Sequence, residues 1–350
     1  MDGGAVTIRE VAAQAGCSIA TVSRVATGNG PVSGPMQKRV VQAALQLGFP
    51  LSPARDARRA VLGVLVPSLT NPVFAGVVAG VEQAAQANGL SVILAQTHYD
   101  TAREVGIVAA LIAEGPVGLV MTVCNPATSE ALAQVVRQRL PAATVYNENV
   151  PAGLGAVSID NRAAMRRLTE ELIALGHRSI LFVGGRFASS DRAACRYAGF
   201  CEAMAAAGLP ALPAQEVDFI EAAEDIDMSS AFQTLEPTAI AVSNDLLAMT
   251  VISSLRRMGL RVPEDVSVTG FDGIDMARHM SPRLTTIAQP SRTMGVLAAS
   301  MVLGIARAGH APSHLRADFT FTPGETIAPY RRDRRSFPLP TQQDRSSHDA

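Results

Sequence analysis

From Val61 to Gly270 the chain alternates short apolar runs with longer stretches of helical spacing, and this alternation limits the fold more than any other feature. VLGVLVP reads as a buried strand, and Pro72–Asn88 follows as a helix. LSVILA, the helical stretch Thr101–Glu114 and GLVMTV repeat the unit. It resumes past Val157 with AVSID, a helix to Gly176, SILFVGG, a helix through Arg196, AIAVS, a helix from Asp245, and VSVTG. Apolar strands separated by helices belong in parallel sheets covered on both faces. Two doubly wound halves account for this length better than one very wide sheet. The expectation is an α/β body over residues 61–328, built as two doubly wound parallel-sheet lobes. Lobe one takes about 61–159 and 289–317, and lobe two about 160–288 and 318–328.

Ahead of the body, residues 1–50 read as a small all-α head. Thr7-Ile8-Arg9-Glu10 has the capping-box form, and Ile8, Val11 and Ala12 share one helical face. Gly16 ends this helix at a left-handed cap. Ser18 caps a second helix with Val22 and Val25 inward. Ser33 caps a third, running to Gly48, with Val40, Val41, Ala44, Leu45 and Leu47 available to its core. Two short helices joined at a glycine and braced by a third form a helix-turn-helix. The second helix of that motif enters the major groove. Ser18, Thr21 and Ser23 offer hydroxyls to phosphates, and Thr7 joins this contact set at the start of the first helix. Arg24 suits a guanine edge or a phosphate, while Ile19 and Ala20 suit a thymine methyl. The other reading is a helical subdomain that binds nothing. Charge favours DNA: residues 1–60 hold seven Lys/Arg against three Asp/Glu, a balance of +4 that leaves the remainder at −5.

At these residues the sequence resembles a known family. T-I-R-E-V-A-x-x-A-G-C-S-x-x-T-V-S-R-V, the following P-V-S and the L-G-F at Leu47–Phe49 are similar to the head of the lac repressor (LacI/GalR) family. The resemblance implies that Ile19, Ala20 and Arg24 read the operator's bases. The linker, residues 51–60, departs from the family pattern. Ser52 stands near an expected Asn, Pro53 follows, and no Leu sits among Arg55–Ala60 to serve as a minor-groove wedge. The segment between Phe49 and Gly63 is about four residues short, which is about one helical turn. The expectation is a short arginine-rich hinge in which Arg55 and Arg58, with Arg59, hold phosphates or a narrow minor groove.

In the body, ligands of doubly wound sheets bind beyond the carboxyl ends of the strands. Ser68 and Asn71 follow the first strand, Thr122 the third, and Asn147 the run ATVY. Asn244 follows AIAVS, Asp272 follows VSVTGF, Gln289 follows LTTIA, and Arg196 lies within a helix. Each alone is an ordinary cap or loop residue. Together they match the hydroxyls of a small polar ligand, with Phe74 and Phe219 to stack on its apolar face. The resemblance covers the body to about Glu325, through S-L-T-N-P-V-F, R-Y-A-G-F, S-N-D-L-L-A, V-P-E-D-V-S-V-T-G-F-D and L-T-T-I-A-Q-P. It implies a periplasmic-binding-protein-like effector domain. Arg196, Asn244, Asp272 and Gln289 would hold the effector, and Ser68, Phe74, Thr122 and Asn147 would close from the other lobe. S-L-T-N-x-V-F and the ending F-T-F-T-P-G-E resemble regulators of gluconate use. A sugar acid, with Arg196 on its carboxylate, and a neutral pentose or hexose both stay open.

The whole reading is a homodimeric regulator, a repressor, that binds near-palindromic double-stranded operator DNA under control of a sugar or sugar-acid effector. No cofactor and no metal are expected: the four cysteines form no CxxC pair. No apolar run reaches the roughly 18–20 residues of a membrane span. MDGGAVTIRE is no secretory signal, so the cytoplasm is expected. The alternatives are a sugar-binding protein without DNA-binding activity and an enzyme. Against the enzyme, G-x-G-x-x-G after the first strand, a P-loop, G-x-S-x-G and H-E-x-x-H are all absent. His177, behind a helix-ending glycine, reads as structural. Residues 329–350 are expected to be a disordered tail.

Overall fold

The computed structural model describes residues 6–27, 30–49, 60–219 and 225–331. The chain divides into two compact units, Met1–Ala60 and Val61–Ala350. The expected hinge contacts Arg55 and Arg58 lie outside the described residues, as does the expected tail beyond its first three residues.

In the first unit, α1 (Ile8–Ala15) opens on the Thr7–Glu10 pair. The Thr7 amide donates to Glu10 Oε2 at 2.7 Å and its hydroxyl to the same oxygen at 2.9 Å. Those bonds, the amide's first, hold the Glu10 carboxyl below the usual glutamate range. Gly16 closes the helix at φ 63°, a conformation that costs an L side chain energy. The α2 helix (Ile19–Thr27) starts where Ser18 Oγ accepts from the Thr21 amide at 3.1 Å. The α3 helix (Gly34–Leu47) begins after Ser33, but the Ser33 hydroxyl makes no capping bond. Pro35 in the first turn has no N–H to offer it. Val11, Ala12, Ala15, Val22, Val40, Ala43 and Ala44 form the core. Leu45 and Val41, expected in that core, are 78% and 40% exposed. They stand one residue, about 100° of helix, beyond Ala44 and Val40.

The second unit carries the expected alternation. Strands β1 (Val61–Val66), β2 (Ser91–Gln96), β3 (Gly118–Met121), β4 (Ala142–Val145) and β5 (Gly155–Ser158) alternate with α4 (Pro72–Ala87), α5 (Thr101–Ala113) and α6 (Glu130–Arg137). With β11 (His314–Arg316) they form one sheet ordered β11-β5-β4-β3-β1-β2, every pair parallel. The second sheet is ordered β7-β6-β8-β9: Gln215–Val217, Ile180–Gly185, Ala239–Val242 and Ser267–Thr269, again all parallel. Its helices are α7 (Asn161–Ala174), α8 (Asp191–Ala206), α9 (Ser229–Leu235), α10 (Asp245–Arg257) and the short α11 (Asp275–His279). The chain crosses between the sheets after β5, after β10 (Thr286–Ala288) and after β11, and β10 pairs antiparallel with β12 (Thr320–Thr322). β7 and α9 are elements the periodicity does not mark, because Gln-Glu-Val is a polar edge strand and α9 has no buried residue.

The helix α12 (Ser291–Ala308) lies along α4 under the first sheet. A Cβ on Gly80 would run into the Arg292 carbonyl, and one on Gly295 into that of Val77. Only glycine permits backbones to approach this closely. His177 is buried, its ring nitrogens bonded to Thr238 Oγ1 and Ser267 Oγ at 3.0 Å each, which is a structural role.

Candidate functional site

Both parallel sheets present their carboxyl ends to one narrow cleft. Three helices begin on it, each capped by a cleft residue. Asn71 Oδ1 accepts from the Val73 amide at 3.2 Å for α4, and Ser190 Oγ from Ala193 at 3.3 Å for α8. Asn244 Oδ1 accepts from Leu247 at 2.7 Å for α10. Helix N-termini carry partial positive charge and favour anions. Of the ten effector residues expected from sequence, the cleft brings together Asn71, Phe74, Arg196, Phe219, Asn244, Asp272 and Gln289.

Arg196 is buried and each of its guanidinium nitrogens has a partner. Nε donates to Asn161 Oδ1 at 2.9 Å, Nη1 to the Ser243 carbonyl, and Nη2 faces Asp272 Oδ1 at 3.3 Å. Its guanidinium carbon lies 3.7 Å from the centre of the Phe271 ring, a cation–π arrangement. Burial lowers its pKa. Asp272 sits at φ 112° and also accepts from Gln289 Nε2 at 2.8 Å. Burial pushes its carboxyl up to about 6 against the pull of Arg196. Beneath it, Asp245 accepts from Thr286 Oγ1 at 2.6 Å and from the Ile274 amide at 2.8 Å. Burial, and then the charge of Asp272, push Asp245 up to about 8.

The sequence reading missed Arg192, Tyr99 and Tyr146, all on the cleft. Arg192 stands one helical turn before Arg196, and that spacing was the available signal. Its Nη1 donates to the Val123 carbonyl of the opposite lobe at 2.8 Å and to Asp191 Oδ1 at 2.9 Å. Arg192 Nη2 and Gln289 Oε1 are buried with no hydrogen-bond partner among the described residues. One is a charged donor and the other a neutral acceptor, and groups left in this state call for a ligand or ordered water. Tyr146 donates to the Val73 carbonyl at 3.0 Å, and burial raises the phenols of both tyrosines.

Three expected effector residues lie elsewhere. Thr122 donates to the Val145 carbonyl at 3.0 Å, tying β3 to β4. Asn147 bonds both main-chain groups of Val123 at 3.0 Å and donates to Asp191 Oδ1 at 2.9 Å, joining the lobes. Buried polar side chains take main-chain partners when these are nearest. The Ser68 hydroxyl pairs with Thr70 Oγ1 at 2.7 Å in an adjoining space.

On the helical unit, Ile19, Ala20, Ser23 and Arg24 are exposed on α2, opposite the buried Val22. Thr7 and Ser18 are exposed too, but their hydroxyls already serve the helix starts, and Thr21 Oγ1 lies 2.9 Å from Ser18 Oγ. Among the described residues no His, Cys, Asp and Glu cluster could hold a metal ion, and no helix is long and apolar enough to cross a membrane.

Comparison with known proteins agrees with this division. Residues 7–50 match the family described as bacterial regulatory proteins, lacI family, and residues 169–327 match the periplasmic binding protein-like domain. The HTH-type transcriptional regulator GntR of Escherichia coli (strain K12) is 30% identical over 327 residues, 91% of this chain and 98% of that protein. A LacI family transcriptional regulator from Enterococcus faecium, solved with bound ribose, is 26% identical with a TM-score of 0.68 over 77% of this chain and 100% of its own. The transcriptional regulator CelR–cellobiose complex is 25% identical with a TM-score of 0.67, covering 92% of this chain and 99% of its own. An exposed reading helix, a two-sheet body with a buried polar cleft and a match along nearly the whole length agree: the chain belongs to the lacI family of bacterial regulatory proteins and is a DNA-binding transcriptional regulator.

Proposed function

We propose that the chain is a cytoplasmic homodimeric repressor without catalytic activity, controlled by a sugar acid bound between the lobes. The observation that carries the effector assignment is the pair of unpartnered buried groups, Arg192 Nη2 and Gln289 Oε1. A polyhydroxylated carboxylate satisfies both, through its anion on Arg192 and a hydroxyl on Gln289. The three helix N-termini favour the same anion. Arg192 takes the carboxylate role first given to Arg196, whose three nitrogens each have a protein partner. Ribose and cellobiose, the ligands named for the two solved relatives, are likewise small and rich in hydroxyls.

Two heads, one per subunit, read the half-sites of a near-palindromic operator with Ile19, Ala20, Ser23 and Arg24 of α2. Arg55 and Arg58 of the short linker are assigned to the phosphates. The edge strand β2 supports the dimer, with Leu94 exposed on it and Leu69 and Val105 exposed beside it. The effector acts only through its different affinity for the two lobe arrangements.

The test is fluorescence anisotropy on DNA from upstream of the chain's own gene, against a scrambled duplex at physiological salt, with a panel of sugars and sugar acids. Specific binding shifted by an acid supports the reading. A shift by neutral sugars alone removes the acid, and equal binding to scrambled DNA removes the operator.

A further inference from the structure

Glu148 stands outside the cleft. It follows Asn147 in the loop between β4 and β5 of the first lobe, and it faces a separate space with Pro126, Asn149, Pro151 and His314. Its Oε1 crosses to the second lobe, where it accepts from the Asn161 amide at 3.0 Å and from Asn161 Nδ2 at 2.8 Å. Asn161 opens α7 directly after the crossover from β5, so its amide has no partner within the helix. The N-cap side chain cannot serve it, because Asp160 Oδ1 accepts from the Ala163 amide at 2.8 Å. A carboxylate at this point also suits the positive end of the helix.

Asn161 is 1% exposed, and the other end of its side chain, Oδ1, accepts from Arg196 Nε at 2.9 Å. The chemistry of the two partners fixes which way the amide points. A carboxylate only accepts and a guanidinium only donates, so Nδ2 must face Glu148 and Oδ1 must face Arg196. From Arg196 the line continues to Asp272 at 3.3 Å, and from Asp272 to Gln289 at 2.8 Å. An anion on the first lobe is thus tied, through one buried amide, to the cation and the carboxylate that line the cleft. Without Glu148 the Asn161 amide loses the partner that sets its orientation.

We propose that Glu148 is a positioning residue for the effector site. It touches no ligand; by holding the Asn161 amide across the crossover it keeps Arg196, and through Arg196 Asp272, in place at the cleft. This rests on the effector reading above for where the ligand sits, but not on its charge.

The test has one readout without ligand and one with it, both on the full-length chain. The Arg196 Nε–H resonance, assigned by its loss in Arg196→Lys, reports hydrogen exchange at the bond to Asn161. Glu148→Ala is expected to speed that exchange by about tenfold or more, because a charge-assisted bond behind it is lost. Glu148→Gln keeps an acceptor oxygen and should stay within about threefold of wild type. Asn161→Ala cuts the same line on the other side of the crossover, and adding Glu148→Ala to it should bring no further change. Glu148→Ser, whose hydroxyl is too short to reach Asn161, replaces Glu148→Ala if that variant does not fold. In calorimetry with gluconate and with glucose, the affinity of the probe that wild type binds should fall by about tenfold in Glu148→Ala and recover in Glu148→Gln. Wild-type exchange in Glu148→Ala, wild-type affinity of that variant for a probe that binds, a Glu148→Gln as impaired as Glu148→Ala, or additive losses in the double variant each overturn the proposal. If neither probe binds wild type, the sugar-acid reading falls, and the exchange rates alone decide the positioning role.

Discussion

Arg192 and Arg196 stand one turn apart on α8, and they differ in what is left of their bonding capacity. Arg196 spends its donors on Asn161, Ser243 and Asp272. Arg192 reaches the cleft with Nη2 lacking a partner among the described residues. A sequence can place two arginines on one helical face, but it does not say which of them the fold has already consumed.

For Arg192 the consequence is an affinity effect. Replacing it by Gln removes a charge-assisted bond to the ligand, worth about 1.5–3 kcal/mol. Affinity for the acid should fall by roughly 10–150-fold, with a much smaller loss for the matching neutral sugar. Calorimetry with both ligands checks this, and equal losses would mean that the charge is not read.

Arg196→Ala should act on the fold. It leaves the buried Asp272 carboxylate without its cation, a change that costs about 3–5 kcal/mol. Without Arg196 the Asp272 carboxyl rises further above its present value of about 6, so the deficit should be larger at alkaline than at mildly acid pH. Urea unfolding across that range measures it, and a deficit independent of pH would contradict the pairing.

Asp245 gives stability a pH dependence of known sign. Its carboxyl is raised from 3.8 to about 8, so between those values the folded chain holds a proton that the unfolded chain has released. Stability from this group is therefore greatest at the acid end of the window and falls as pH rises toward 8. In Asp245→Asn, thermal unfolding should show a flatter decline from pH 5 to pH 8. An unchanged slope would place the titration elsewhere.

On the head, Arg24→Ala should weaken specific operator binding by about 1–3 kcal/mol if the guanidinium meets a base edge. A loss shared equally with scrambled DNA would instead mark it as a phosphate contact. Its exposed position predicts no change in melting temperature.

The strands and helices of the body were legible because burial on both faces leaves apolar runs, and because caps such as Asn71 and Asn244 punctuate them. The carboxyl-end rule also put Asp272 and Gln289 on the cleft. Thr122 and Asn147 occupy the same kind of position but turn toward neighbouring strands. That choice depends on which carbonyl lies closer in three dimensions. Tyr99 was hidden in the polar turn HYD, where nothing local announces a ring that packs into the cleft. Leu45 and Val41 were misread because α3 presents a narrower apolar face than its composition suggests.

Close packing at Gly80 and Gly295 joins two helices that both start near the cleft. α4 starts at the cleft with Asn71, and α12 starts directly after the crossover that contains Gln289 and Pro290. At these two glycines main chain meets main chain, leaving no side chain there to deform. The two helices are meshed like gears. A side chain at either glycine would act as a wedge, prising apart the two helices on which Asn71 and the Gln289 crossover depend for their place at the cleft.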